Sequence, residues 1–174
     1  LNRLSAGVGV AAVDLHRALL KGGVNSRIFG FEGPGSDELL AGLDPSTHYT
    51  CKATALWRRY GPTTQVFKVI AAEAPDVIHI HGLWQFSSLV GLWESRQRPI
   101  IVSPHGMLDP WAMRQPSLQK RLAWRLQDHQ LLKRAATVHC LTGAEVQAIE
   151  SLGLSAPTRV IPNGLSFEEH QAPH

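Results

Sequence analysis

The 174-residue sequence predicts an α/β domain in which a parallel sheet is covered by helices on both faces. Short apolar runs alternate with segments of helical periodicity along nearly the whole chain. The apolar runs are uniform rather than alternating, as at residues 100–102, which is typical of strands buried on both faces. Ligands of such sheets bind in the loops that follow the strands, so we expect the functional residues there.

The elements follow in order from local signals. Apolar residues at helical spacing predict a helix over residues 11–21, which Gly22 and Gly23 end, followed by a strand over 24–31. Residues 36–61 read as irregular, with a weak helical signal at 54–59. Beyond them, the pattern predicts helices over 62–73, 86–97, 117–134 and from Thr142, alternating with strands over 77–81, 100–103, 137–141 and 159–161. Thr142 and Glu145 have the spacing of a capping box.

The predicted helix over residues 117–134 is amphipathic, because Leu118, Leu122 and Leu126 recur every four residues. Its charged residues are nearly all basic. With the preceding Arg114 they are Lys120, Arg121, Arg125, Lys133 and Arg134, against only Asp128. Such a helix could lie on an anionic membrane, although a solvated face is the more common interpretation.

The composition excludes several classes of protein. Apolar residues make up 44% and charged residues 18%, as in ordinary globular proteins. A net charge of +3 suits an anionic partner such as a sugar nucleotide or a phospholipid surface, and is too weak to indicate nucleic acid. Cys51 and Cys140 form no CxxC motif, so we expect reduced thiols. With no apolar run of about 18 residues, we predict a cytoplasmic protein, with peripheral contact at the inner face of the membrane as an alternative.

A glycine pattern, G-x-G-x-x-A at residues 7–12, precedes the first predicted helix. Glycines let backbone amides approach an anion at a helix N-terminus, so Gly7 and Gly9 are candidate phosphate-binding residues. With Glu32 downstream, the same pattern fits a dinucleotide fingerprint and hence an NAD(P)-binding oxidoreductase domain. That fingerprint requires a preceding strand, which residues 1–6 do not resemble. In a third interpretation, the glycines bind no ligand and only form the turn that leads into the helix.

His105 is the best candidate for a functional side chain, because it follows a predicted strand and stands beside Gly106. A neutral imidazole can donate or accept a hydrogen bond with a sugar hydroxyl. Asp109 could accept hydrogen bonds from sugar hydroxyls, whereas we expect Trp111 to fill a hydrophobic gap rather than stack on a sugar. His79 and His81 alternate along one strand and could ligate a metal. Because no further ligand has suitable spacing, we instead expect His79 in the core, His81 near a ligand, and no metal.

Four segments together resemble the retaining GT-B glycosyltransferases of family 4, in that family's order along the chain. They are PDVIHIHG at residues 75–82, SPHGMLDPWA at 103–112, TGAE at 142–145 and VIPNG at 160–164. The second segment is similar to bacterial members that build surface polysaccharides. The resemblance implies a Rossmann-like domain that forms the N-terminal, acceptor-side half of a GT-B enzyme over residues 1–165. Residues 166–174 would begin the linker to a donor-binding domain.

The resemblance also implies a reaction and a set of roles. A glycosyl group would pass with retention of configuration from a nucleotide-sugar co-substrate to a saccharide or lipid-linked acceptor, without a metal or another cofactor. His105 would be the catalytic residue and would contact the donor sugar at the cleft between domains. Gly7 and Gly9 would lie near the donor phosphates. The acceptor would be bound by His81, Trp84, Asp109 and Arg114. The boundary between the domains would lie at Asn163 and Gly164.

Two departures from the family pattern qualify these expectations. The family has a strand ahead of the glycine loop, in the middle of the sheet, and residues 1–6 leave little room for it. We therefore expect an interrupted sheet, because neighbouring strands would lose hydrogen-bond partners. The donor-binding half is also missing from the sequence, so we expect the fragment to be inactive alone. A non-catalytic sugar- or nucleotide-binding module is the remaining alternative.

Overall fold

The computed structural model describes residues 3–32, 35–51, 64–114 and 118–164, apart from the side chains of residues 3–6 and 119. The helices are α1 (Arg3–Lys21), α2 (Ser36–Leu40), α3 (Gln65–Glu73), α4 (Phe86–Glu94), α5 (Pro110–Arg114), α6 (Leu118–Ala123), α7 (His129–Arg134) and α8 (Gly143–Ser151). The strands are β1 (Ile28–Phe31), β2 (His48–Cys51), β3 (Ile78–His81), β4 (Ile100–Ser103), β5 (Thr137–Cys140) and β6 (Thr158–Val160). A 3₁₀ turn (Pro45–Thr47) precedes β2, and a π-helical segment (Trp124–Asp128) joins α6 to α7.

The strands form two parallel sheets flanked by helices, which confirms the predicted α/β class. Strands β1 and β2 pair with each other, and the second sheet has the order β3-β4-β5-β6. Within the described parts of the chain, β1 pairs only with β2, and β3 pairs only with β4. Among these residues the strands thus form two separate sheets, in which β1 and β3 are edge strands.

The core lies on one face of the four-stranded sheet. Strand residues such as Ile100, Val102 and Val138 are fully buried there, against Leu131 and Leu132 of α7. Such packing follows because apolar and polar residues alternate in β3 and β5, so the apolar ones point to one face, where a helix covers them. Cys140 also lies in this core as a free thiol whose pKa is raised to about 11, chiefly by burial, so the expectation of a reduced, packed cysteine is confirmed for this residue.

Helix α4 approaches the sheet closely because it has a glycine at the contact. A Cβ atom added to Gly91 would lie 2.9 Å from Cγ1 of Ile80 and 3.2 Å from Cδ1 of Leu131. A side chain at this position would therefore push α4 away from both β3 and α7.

The predicted glycine loop is wrong. Helix α1 begins at Arg3, so Gly7 and Gly9 lie inside it and their amides are in helical positions rather than in an open loop. Gly9 packs against α2, with Cδ2 of Leu39 3.4 Å from the position of an added Cβ. The dinucleotide fingerprint fails for the same reason, because it requires these residues to form the turn between a strand and a helix.

Other differences concern short or exposed segments. Strand β2 and helices α2 and α5 were not predicted, and the weak helical signal at residues 54–59 lies outside the described residues. The predicted helix over 117–134 is present from Leu118 onward, with its middle turn π-helical. Its leucine row does not face the core, since Leu118, Leu122 and Leu126 are exposed. Trp111 is also exposed, at 67%, so the expectation that it fills a gap is wrong.

Candidate functional site

The candidate site lies on the face of the four-stranded sheet opposite the core. The register pairs His81 with Ser103, and continuing it one residue beyond the Val102–Val138 pair places Ser103 beside His139. Residues paired across parallel strands share a face, so these side chains form a polar row across β3, β4 and β5. His79 lies on the same face, two residues earlier in β3. Polar side chains are therefore concentrated near the strand ends, where the sequence predicted the functional residues.

A chain of hydrogen bonds crosses this face. Nε2 of His79 lies 2.7 Å from Oγ of Ser103, which lies 2.8 Å from Nδ1 of His139. Nε2 of His139 lies 2.8 Å from the carbonyl oxygen of Ile161. A carbonyl only accepts, so Nε2 of His139 donates. In the neutral ring Nδ1 then accepts from the Ser103 hydroxyl, which in turn accepts from Nε2–H of His79.

The burial of His79 favours the neutral form of its ring, as the chain of hydrogen bonds requires. Its pKa is lowered to about 4, first by desolvation and then by His139 and His105. The ring of His79 also stacks on His81, with centroids 4.2 Å apart. The expectation that the His79 ring has a hydrogen-bond partner is confirmed, whereas the expectation that it lies in the core is wrong, because it lies on the opposite face of the sheet. Among the described residues, no group of three or more His, Cys, Asp or Glu side chains could hold a metal ion.

His81 and His105 meet at the ends of neighbouring strands. Nδ1 of His81 lies 3.0 Å from Nε2 of His105, and the ring centroids are 5.2 Å apart. Desolvation and the neighbouring His79 lower the pKa of His81 to about 3. Desolvation also lowers the pKa of His105, against an opposing effect of the Glu145 carboxylate. Both rings are therefore neutral at physiological pH, and one of them donates to the other.

The backbone at His105 is in an unusual conformation. His105 has a φ of 52° and Gly106 a φ of 71°, so two consecutive residues are left-handed. For a residue with a Cβ this costs about 1–2 kcal/mol. Surrounding contacts hold this strained conformation, in which the imidazole of His105 points toward His81 at the end of β3. Backbone strain of this kind is concentrated at functional sites.

Glu145 holds the turn that carries His105. Its Oε1 accepts the amide of Gly106 and its Oε2 accepts the amide of Leu141, while Thr142 caps α8 by accepting the amide of Glu145. The predicted cap by Thr142 is confirmed. The glutamate side chain, however, bonds to amides other than that of Thr142 itself, so it links two strand-end loops rather than closing a local capping box.

The loop between β3 and α4 is anchored to the π-helical segment. Oδ1 of Asp128 accepts the Trp84 amide at 3.1 Å, and Nε2 of Gln127 donates to the Gln85 carbonyl at 3.0 Å. Trp84 has a φ of 59°, so this loop also contains a left-handed residue. Nζ of Lys120 lies 4.3 Å from the Trp84 ring centroid, and the cation covers one ring face. Burial raises the pKa of Asp128, against the opposing hydrogen bonds from Ser88 and the Trp84 amide.

The remaining predicted site residues are placed as follows. Asp109 is exposed, with Oδ2 3.5 Å from the position of an added Cβ at Gly106, so its carboxylate borders the His105 turn. Arg114 is an exposed cation at the end of α5, and no contact among the described residues joins it to His105. Asn163 and Gly164 are exposed beyond β6, two and three residues after the Ile161 carbonyl that His139 holds. The structure thus brings together His81, His105 and Asp109.

Ser103, His139, Glu145, Gln127 and Asp128 were not predicted as site residues. Most of their partners lie 24 to 44 residues away along the chain, whereas the Ile161 carbonyl is 22 residues from His139 and the Leu141 amide is four residues from Glu145. Such contacts depend on strand register and helix packing. The one usable signal was the position of Ser103 and His139 near strand ends beside other polar residues.

Comparison with known proteins agrees with this arrangement. The family model described as Glycosyltransferase Family 4 matches residues 5–169. No curated protein and no solved structure matches the chain significantly. The family match covers nearly the whole chain and includes β3, β4, the His105 turn and α8. The chain therefore belongs to glycosyltransferase family 4.

Proposed function

We propose that this domain is the acceptor-side half of a retaining glycosyltransferase that takes sugar from a nucleotide-sugar donor. The acceptor is a saccharide or a lipid-linked saccharide in the synthesis of a bacterial surface polysaccharide. The parent protein would add a donor-binding domain after residue 165, and the complete enzyme would work in the cytoplasm, at the inner face of the membrane. The family match supports the transferase class, and the donor, acceptor, stereochemistry and location are the proposed part.

The observation that carries the proposal is the hydrogen bond between His81 and His105 at the ends of β3 and β4. Because Nε2 of His105 is engaged by His81, Nδ1 is the nitrogen that faces a substrate. If His81 donates, Nδ1 of His105 carries a proton and donates to a hydroxyl or oxyanion. His81 thereby selects the tautomer of His105, in the way that a hydrogen bond to one ring nitrogen fixes the role of the other.

The neutral state of His105 is suited to recognition of a sugar. A neutral imidazole offers one donor and one acceptor, and it avoids the cost of burying a charge beside His81 and His139. Asp109 beside the same turn would accept hydroxyl hydrogen bonds from the acceptor. Trp84 and Arg114 would extend that acceptor surface. Gly7 and Gly9 have no part in this proposal, because their amides lie inside α1.

The test is a panel of nucleotide sugars offered to the full-length protein, with saccharide and lipid-linked acceptors. Release of nucleoside diphosphate with one donor, and a product of unchanged anomeric configuration by NMR, is the expected result. His105→Ala should abolish most of the release, whereas His48→Ala, on β2, should not. Binding of a donor without release under any condition would instead identify a non-catalytic binding module.

A further inference from the structure

The exposed leucines of α6 and the π-helical segment form an apolar row on the surface. Leu118 is 81% exposed, Leu122 56% and Leu126 63%. The buried side of the same helical stretch is formed instead by Gln127, Asp128, Leu131 and Leu132. The regular spacing of the leucines therefore does not serve the core. Aligned apolar side chains left in water indicate a surface that is covered by a partner.

Basic side chains border the leucine row. Arg121 and Arg125 immediately precede Leu122 and Leu126, and both are exposed. The sequence of residues 118–134 contains a single acid, Asp128, which is fully buried. The exposed charge of this stretch is thus entirely positive, so the partner that complements it is anionic.

A groove runs beside the leucine row. It has a volume of about 530 Å³ and is lined by Arg121, Trp124, Arg125, His129 and Gln130. Two guanidinium groups can bind the oxygens of a phosphate, and an indole next to them suits the boundary between headgroups and acyl chains. A phospholipid supplies both chemistries at once, a phosphate for the groove and acyl chains for the leucines.

A second copy of the chain fits this surface less well. In a symmetric dimer the same patch meets itself, so Arg121 and Arg125 of one protomer would oppose the same arginines of its partner. Like charges at such short distances are unfavourable. An anionic bilayer removes this conflict, because its charge is opposite and its interior accepts the leucines.

We infer that Leu118, Leu122 and Leu126, together with Arg121 and Arg125, form a docking surface for an anionic phospholipid bilayer. The surface lies on the helical stretch whose Asp128 and Gln127 anchor the loop that carries Trp84. Docking would therefore hold the site next to the bilayer. This inference deepens the proposed function and rests on it for the lipid-linked acceptor, but the docking itself requires no sugar transfer.

The experiment is co-sedimentation of this chain with lipid vesicles. One set contains phosphatidylcholine with phosphatidylglycerol, and the other contains phosphatidylcholine alone. We expect binding to the anionic set, weakening as salt is raised. Leu122→Ser with Leu126→Ser, and separately Arg121→Gln with Arg125→Gln, should each lower the partition coefficient about tenfold or more. All four positions are exposed, so both variants should keep the wild-type circular dichroism and melting temperature.

Matched controls remove comparable groups elsewhere. Val24→Ser with Val77→Ser removes exposed apolar side chains, and Lys21→Gln with Lys68→Gln removes two exposed cations. Both controls should bind like the wild type. Failure of the wild type to bind anionic vesicles, or equal losses in the controls, would overturn the inference. So would a dimer, seen by sedimentation velocity without vesicles, that the leucine variant abolishes. Vesicle binding does not depend on sugar transfer. A failure to find an active nucleotide sugar would therefore contradict the proposed function without contradicting the docking surface.

Discussion

Nδ1 of His81 and Nε2 of His105 lie 3.0 Å apart and join the ends of two adjacent parallel strands. The pair is continuous with His79, which stacks on His81 and begins the hydrogen-bond chain to Ser103, His139 and the Ile161 carbonyl. The strand-end loops and the segment after β6 are therefore held by one polar network. A substitution at one histidine is therefore expected to alter the hydrogen bonding of the others.

Acidification should destabilise the fold through the buried histidines. The pKa values of His79 and His81 in the folded state, about 4 and about 3, lie below the ordinary histidine value of 6.5. The unfolded chain therefore binds more protons than the folded one in this window. Stability is complete above the unfolded pKa and is lost as the pH falls through it toward the folded values, by up to about 1.4 kcal/mol per pH unit for each ring.

Urea unfolding at a series of pH values measures this effect. The His81→Asn variant, which no longer titrates at this position, should show a shallower dependence than the wild type. A variant with the same slope as the wild type would mean that His81 is not held neutral by the fold.

Glu145 should contribute both to the stability of the domain and to the pKa of His105. Glu145→Ala leaves the amides of Gly106 and Leu141 without their acceptors and should cost about 1–3 kcal/mol of unfolding free energy. Glu145→Gln removes the charge that raises the pKa of His105, so that pKa should fall further. Thermal melts and histidine NMR titrations give the two quantities. Glu150→Ala, an exposed position on the same helix, should change neither.

Asp128 should respond differently to two substitutions. Burial raises its pKa, so the fold favours the protonated form, and that contribution is lost as the pH rises through the folded value. Asp128→Asn keeps an acceptor for the Trp84 amide without a charge, and should match or exceed the wild-type stability at neutral pH. Asp128→Ala leaves the amide unpaired and should cost about 1–3 kcal/mol. Chemical denaturation measures the unfolding free energy of both variants. An Asn variant less stable than the Ala variant would contradict the anchoring role of Asp128.

Gly91 should tolerate no side chain. An added Cβ would meet Ile80 at 2.9 Å, so Gly91→Ala should destabilise the domain by about 1–3 kcal/mol. Gly143→Ala is the matched control, because no heavy atom lies within 4 Å of its added Cβ and alanine favours the first turn of α8. Equal melting temperatures for the two variants would show that α4 is not packed as described.

The four-stranded sheet was predictable because short runs containing Val and Ile alternate with segments of helical periodicity. Strand β2, with the sequence HYTC, lacks that signal and was missed. The glycines at 7 and 9 indicated a loop by local preference, but the structure continues α1 through them, where helix formation on both sides outweighs the cost of glycine. The leucine row indicated an amphipathic helix, but periodicity alone does not show what its apolar face contacts.

Within the site, His81 and His105 were identified because each follows an apolar strand and precedes a glycine. The roles of Glu145 and Asp128 were not predictable in this way. Glu145 has the spacing of a local cap, and only the fold brings the Gly106 amide to it. Asp128 read as the sole acid of a basic helix, and only the packing of the π-helical segment turns it inward to Trp84.

The role of His105 is tested most directly by its replacement with glycine in the full-length enzyme. The φ of 52° at His105 is strained for any residue with a Cβ, so His105→Gly should keep or raise the melting temperature. We predict that its rate of transfer, measured with the active nucleotide sugar, falls at least about a hundredfold. A glycine variant that is as stable as the wild type and transfers sugar at the same rate would contradict the assignment of His105 to the reaction.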